Sequence, residues 1–348
     1  MARILALASL ATFVAATASV AASPAYHLAA QYQLPGDGGW DMLTYDPAGK
    51  RLFLSRSTQV LVVDAATGKL QGTIEDTPGV HGIALAPDLG KGYTSNGKED
   101  TVTVFDLKTL KPAAKLKVTG ESPDEIIYEP ATKRVFAFNG RSSNVTVIDA
   151  ATDTVAATLA LPGKPEFAVA DGKGTIYVNL EDKDELLRLD AKQPAVTATW
   201  ALAPCESPSG LAFDAADRRL FAACDDKLMA VVDADTGKLV TTLPIGEGPD
   251  GAVYDPATKL LFSPNGGDGT LTVIHVDGAD RYSVVATAAT HKFARTLALD
   301  TDTHAVYLPS ADVEIVPAPA GATGAAQRPK RNVLPGTFTL LVVSPQTP

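Results

Sequence analysis

Between Gly120 and Thr152 short apolar stretches alternate with polar turns at a strand-like period. Glu125–Tyr128 is a short apolar run, and Glu129-Pro130-Ala131-Thr132 is a turn. Arg134–Phe138 alternates and is rich in aromatic and β-branched side chains, which suit a pleated, packed surface. Asn139–Ser143 is a polar turn, and Asn144–Ile148 is a third strand closed by Asp149. A unit of this size cannot bury both of its own faces and needs neighbours built like itself.

The chain supplies them. The apolar-apolar-Asp ending of that third strand recurs at Val62-Val63-Asp64, Val104-Phe105-Asp106, Val147-Ile148-Asp149, Arg188-Leu189-Asp190 and Val231-Val232-Asp233. Degenerate copies are Val273-Ile274-His275 and Val342-Val343-Ser344. The first six copies follow one another at intervals of 41 to 43 residues, and the last interval is 69. A period of ~40–45 residues with about four strands each is the signature of a propeller blade. The spacing predicts an all-β, seven-bladed β-propeller whose first strands begin near Asp41, Gly82, Glu125, Phe167, Gly210, Gly251 and Thr296.

The longer last interval is one repeat plus an insertion, residues 311–335, between strands two and three of blade seven. It is rich in Pro, Ala and Gly and contains Arg328-Pro329-Lys330-Arg331, so it is expected to be a flexible loop. A tolerated surface insertion is the plain reading, and a mobile lid or partner-docking arm the sharper one. Phe338–Ser344 reads as a third strand with no fourth after it, while Tyr26–Leu34 precedes the first full repeat. Pairing the two would close the ring and leave no open sheet edge between first and last blade.

Composition adds little to this until charge is counted. Hydrophobic residues make up 45% of the 348, an ordinary globular share. The formal charge of −10 disfavours general nucleic-acid or anionic-membrane binding, because phosphate contacts need a cationic surface. Met1–Ala22 has Arg3, an apolar run from Ile4 to Val14 and the small-residue end Val20-Ala21-Ala22, and is expected to be a cleaved signal peptide. The apolar run is too short to span a membrane. Residues 23–348 are then one exported propeller, periplasmic or secreted, expected to be a monomer without a membrane span. Cys205 precedes the first strand of blade five and Cys224 ends its second. Antiparallel pairing about the turn near Ala215–Asp217 puts residue 208 opposite 224, which favours a Cys205–Cys224 disulfide over two buried thiols.

These repeats resemble the YVTN-type propellers of exported bacterial proteins, including the YncE-like group. The resemblance rests on Pro-Asp-Gly at 249–251, Asp-Pro-Ala-Thr-Lys at 255–259, Tyr177-Val178-Asn179 and Val-Ile-Asp-Ala-Ala-Thr at 147–152. No copy spells the full Tyr-Val-Thr-Asn, and blade seven departs most. The resemblance implies the fold. It leaves function open between binding proteins and members labelled lactonase-like. No Cys-x-x-Cys-His for haem and no nucleotide fingerprint is present, nor is a Gly-x-Ser-x-Gly elbow or a His-Glu-x-x-His motif.

In a propeller the loops entering each first strand reach the central funnel. Aligning the repeats puts Asp41, His81, Asp124, Glu166, Ser209, Asp250 and Arg295 at equivalent positions on that face. Trp40 and Phe167 flank two of them, Glu125 adds an acid, and Asn96, Asn139, Asn179 and Asn265 sit on the neighbouring loops. Most of these Asp and Asn residues are explained one by one by turn chemistry. His81 and Arg295 are not, since they replace the acidic or small residue of the repeat. The candidate ligand-binding set is therefore Trp40, Asp41, His81, Asp124, Glu166, Asp250 and Arg295. Two functions follow. One is a propeller binding a small ligand, a metal ion or an exported protein partner on this face. The other is a metal-assisted, lactonase-like hydrolase with a divalent cation such as calcium, magnesium or manganese among the acids.

Overall fold

A computed structural model describes residues 25–278, 280–318 and 330–346. The expected signal peptide, residues 1–22, lies outside the described residues. The chain forms seven four-stranded antiparallel sheets arranged as a propeller, and the one helical segment among the described residues is the short 3-10 turn Pro87–Leu89.

Blade three shows how the sequence builds each sheet. Its strands are Pro123–Glu129, Arg134–Asn139, Asn144–Asp149 and Thr154–Ala160, paired in sequence order. The two middle strands are apolar almost throughout because both faces are covered by the adjacent blades. Phe136, Phe138, Val145 and Val147 pack with Leu161, Ala168, Ile176 and Val178 in one cluster shared with blade four. Each fully buried Val, Leu, Ile or Phe among them contributes about 1.5–3 kcal/mol. The outermost strand alternates instead, since one of its faces meets solvent.

In blades one to five the Asp that ends the third strand caps the next turn. Asp149 Oδ1 accepts the backbone N–H groups of Ala151 and Thr152 at 2.9 Å and the Thr152 hydroxyl at 3.1 Å. Asp106 does the same for Lys108 and Thr109, and Asp233 for Asp235 and Thr236. A short acceptor one residue past an apolar strand therefore fixes where the strand stops.

The ring closes where the sequence places the closure. Tyr26–Gln33 pairs antiparallel with Thr339–Pro345, from Tyr26 opposite Pro345 to Gln33 opposite Thr339. Blade seven is thus Ala298–Asp300, Ala305–Ser310, Thr339–Pro345 and Tyr26–Gln33. Arg56 seals the crossing into blade one. It is 2% exposed, lies 4.0 Å over the Phe338 ring, and donates to the carbonyls of Gly36 and Gly38.

The blade-seven insertion is not unpaired chain throughout. Val313–Val316 pairs with Lys330–Val333 as a two-stranded hairpin. Its β-branched residues Val313, Ile315, Val316 and Val333 supply strand propensity that the surrounding Pro, Ala and Gly mask in the composition. In blade five Pro208 pairs with Cys224, and Cys205 and Cys224 form a disulfide with Cα atoms 5.8 Å apart.

Candidate ligand-binding funnel

One irregularity recurs in the first strands, and it makes the funnel. In blade three the register jumps from Pro123 opposite Asn139 to Ile126 opposite Ala137, so Asp124 and Glu125 face a single partner residue. The same jump occurs after Trp40, Val80, Pro165 and Pro208. A bulge of this kind bends the strand and re-aims its side chains. Asp41, His81, Asp124, Glu166 and Ser209 are all the first residue of their bulge. In blade six an isolated bridge, Pro249 to Asn265, holds Asp250 at the matching place. At the second bulge position of blade five the neighbouring blade comes too close for a side chain: a Cβ on Gly210 would lie 2.3 Å from the carbonyl carbon of Gly251.

The bulge residues bond across the ring. His81 Nδ1 lies 2.6 Å from Asp41 Oδ2 and 3.4 Å from Asp124 Oδ1. Arg295 Nε donates to Asp250 Oδ2 at 2.5 Å, and its Nη2 donates to Asp41 Oδ1 at 3.4 Å. Ser209 Oγ donates to Asp250 Oδ1 at 2.6 Å. The backbone is tied as well. Thr296 Oγ1 donates to the Asp41 carbonyl at 2.7 Å, and Asn179 Nδ2 to the carbonyls of Ser209 and Gly210 at 3.0 and 3.2 Å. Six residues from the equivalent positions of six blades thus form one network around the axis.

Beside this network lies a cavity of about 560 Å³, lined by Asp41, Asp124, Glu166, Ser209, Asp250 and Arg295 among others. It also takes in Glu181, Asp225, Glu247 and Phe167, together with Phe293 and the exposed Arg331. Seven carboxylates line it against two arginines. Lys164 adds a cation nearby, donating to Glu166 at 2.5 Å and to Glu181.

The crowding of acids shows in their titration. Burial raises Glu166, the Asp124 charge raises it further, and Lys164 offsets only part, leaving it at about 8. Burial likewise raises Asp124, and raises Asp250 to about 6 against the pull of Arg295. Glu125, fully enclosed beside Asp124, is pushed well up by burial. Asp41 alone of the group goes down, because the His81 hydrogen bond and the Arg295 charge outweigh its burial. Burial alone would lower the His81 imidazole, but its bond to Asp41 and the Asp124 charge hold it at about 9.

The structure brings together Asp41, His81, Asp124, Glu166, Asp250 and Arg295. It places Trp40 elsewhere: the indole packs 5.7 Å from Phe338 in the core between blades seven and one, and its N–H is buried without a partner among the described residues. Phe167, at the second bulge position, lines the cavity instead. The neighbouring asparagines also differ from expectation. Asn96, Asn139 and Asn265 are fully buried and clamp their own third strands; Asn96 donates to Thr101 and Thr103, and Asn265 to Thr270 and Thr272. Asn179 sits one residue earlier in its strand than those three, since Leu180 is the residue opposite Pro165. His275 pairs with Asp277 at 2.7 Å, away from these groups.

Glu181, Asp225, Phe293 and Arg331 were missed. A signal for the first two exists: they follow the second strand, where three other blades carry Gly97, Gly140 and Gly266. They depart from the repeat as His81 and Arg295 do.

No family model matches the sequence, and no curated protein matches it. Among solved structures, the Kuenenia stuttgartiensis hydrazine synthase is similar, with a TM-score of 0.70 and 18% identity over 79% of this chain and 94% of that one. A chain of a mitotic checkpoint complex is similar over 99% of both chains, with a TM-score of 0.73 and 12% identity. At these identities the likeness is one of fold. Among the described residues no helix is long and apolar enough to cross a membrane.

Proposed function

We infer that the protein is an exported binding propeller that takes a small cationic ligand, such as an amine, in its central funnel. One observation carries this reading: the cavity holds an excess of carboxylates, and its inner cations are already spent. Arg295 is committed to Asp250 and Asp41, His81 to Asp41 and Asp124, and Lys164 to Glu166 and Glu181. Asp225 has no cationic partner among the described residues, and burial holds it raised. An incoming cation would favour the ionised form of these acids, which burial first and mutual repulsion second disfavour. Phe167 offers an aromatic wall to the alkyl part of an amine. Export is supported by the disulfide, which persists in oxidising compartments, and the YVTN-type resemblance points the same way.

A second reading keeps the metal-assisted hydrolase. Asp41, His81 and Asp124 offer three ligand atoms within 4.8 Å of one another, a donor set suited to a divalent cation. The fit is poor at neutral pH. A metal would have to displace the proton held on His81 and compete with Arg295 for Asp41. The two readings separate in a calorimetric titration with putrescine, spermidine, calcium, magnesium and manganese, on the native protein and on Asp124→Asn. Saturable amine binding, weakened about tenfold or more in Asp124→Asn, is the expected result. Tight divalent-cation binding with lactone turnover, and no amine binding, would overturn it.

A further inference from the structure

We propose that Arg331 is the anion-recognising residue of the funnel, so that the ligand is zwitterionic: a cationic head among the inner acids and a carboxylate toward the rim, as in a basic amino acid or a peptide end. The inference rests on the cation-binding reading above and deepens it. Arg331 stands on the blade-seven hairpin, opposite Ile315, and lines the same cavity as Asp124, Glu166 and Asp250. The other cations in or beside that cavity, His81, Lys164 and Arg295, are held by carboxylates. Arg331 has no carboxylate partner among the described residues. Its guanidinium lies 5.6 Å from the centre of the Phe293 ring instead.

That contact fixes the guanidinium without using its donors. A guanidinium held over an aromatic face by a cation–π contact keeps its N–H donors free for a planar bidentate acceptor, which is the geometry of a carboxylate. The ring itself is held firmly. Phe293 sits at φ 66, a left-handed conformation a bulky residue keeps only when its surroundings impose it. Its N–H donates to the Gly266 carbonyl at 2.7 Å. Phe293 also lines the cavity, so the stacked pair forms one stretch of the cavity wall. The hairpin is paired from Val313–Val333 to Val316–Lys330, which gives Arg331 a strand rather than a free loop to stand on. A cavity of about 560 Å³ has room for a ligand of amino-acid to dipeptide size.

Matched pairs that differ only in the carboxylate test this: lysine against cadaverine, ornithine against putrescine, and arginine against agmatine. Dissociation constants are measured by calorimetry on the full-length protein and on Arg331→Gln. The native protein is expected to bind at least one amino acid about tenfold tighter than its decarboxylated partner. Arg331→Gln should erase that preference without weakening the diamine, since it removes a positive charge. Arg331→Lys should restore part of it. Equal affinity for both members of every pair, or a preference that survives Arg331→Gln, overturns the role of Arg331 while leaving the cation-binding funnel standing. Binding of neither member in any pair removes the funnel reading itself, and the zwitterion with it.

Discussion

At the scale of single residues, the funnel is a charge network whose members stand in for one another's solvent. Arg295 is the keystone of one side, since it bridges Asp250 and Asp41 as His81 bridges Asp41 and Asp124. Replacing it with methionine leaves Asp250 without a counter-charge beside Asp41, which keeps only His81. Arg295→Met is therefore expected to cost about 1–3 kcal/mol at pH 8, measured by denaturant unfolding. The cost should shrink at pH 5, where Asp250 can take up a proton. An equal loss at both pH values would show that the arginine acts through packing alone. The position of Arg295 was readable from the sequence because an internal repeat provides its own control: a blade that breaks the pattern stands out. Glu181 and Asp225 obey the same logic at another position. Phe293 does so as well, standing two residues before Arg295 where other blades carry Gly79, Ser122, Ser207 and Gly248, whereas Arg331 does not, because the blade-seven insertion has no counterpart to be compared with. Trp40 was misplaced for a different reason. The bulge sends residue 41 to the axis, and its neighbour goes the opposite way into the core.

At the scale of elements, the strands follow from their hydrophobic pattern, and their irregularities do not. Alternation and the terminal Asp place the third strands correctly, because each Asp caps the turn that ends its strand. The bulges in the first strands leave no mark in composition, yet they are what aims four of the candidate residues, Asp41, His81, Asp124 and Glu166, and Ser209 beside them. The hairpin at 313–333 was hidden by the Pro, Ala and Gly around it. The ring closure was legible, and it can be challenged. Deleting Tyr26–Leu34 should lower the melting temperature of the whole molecule, since it strips the outer strand from blade seven and bares an edge. An unchanged melting temperature would mean the ring holds without it. Arg56→Met is a milder test of the same seal. It leaves the Gly36 and Gly38 carbonyls without their donor, and is expected to cost about 2–4 kcal/mol. A loss below about half a kcal/mol would show that the stacking on Phe338 is incidental.

At the scale of the whole molecule, the acid-rich axis sets how stability and binding vary with pH. Glu166 has a folded pKa of about 8, above its unfolded value, so the folded state holds a proton that the unfolded state has lost. That contribution is complete below about pH 4.5 and disappears as pH rises through about 8. His81, at about 9, acts in the same direction: its contribution is complete below about pH 6.5 and is lost as pH rises through about 9. The turn-capping carboxylates work oppositely. Hydrogen bonds from Thr152 hold Asp149 below its ordinary value, and those from Thr67 do so for Asp64, so their contribution is lost on acidification. The ligand-free protein should accordingly melt highest near pH 5–6 and lower at pH 9. A melting temperature that rises steadily to pH 9 would contradict the charge balance described for the funnel.

The same acids make proton release the most direct test of the binding site. A cation entering the funnel favours ionised carboxylates, so Glu166 and its neighbours must give up protons when it binds. Spermidine titrated at pH 7 into the protein, in phosphate and separately in Tris, reads this from the difference in heat between the two buffers. Net proton release is expected, with affinity rising between pH 6 and pH 8. Net proton uptake, or an affinity that does not change with pH, would contradict a cation held among the funnel acids.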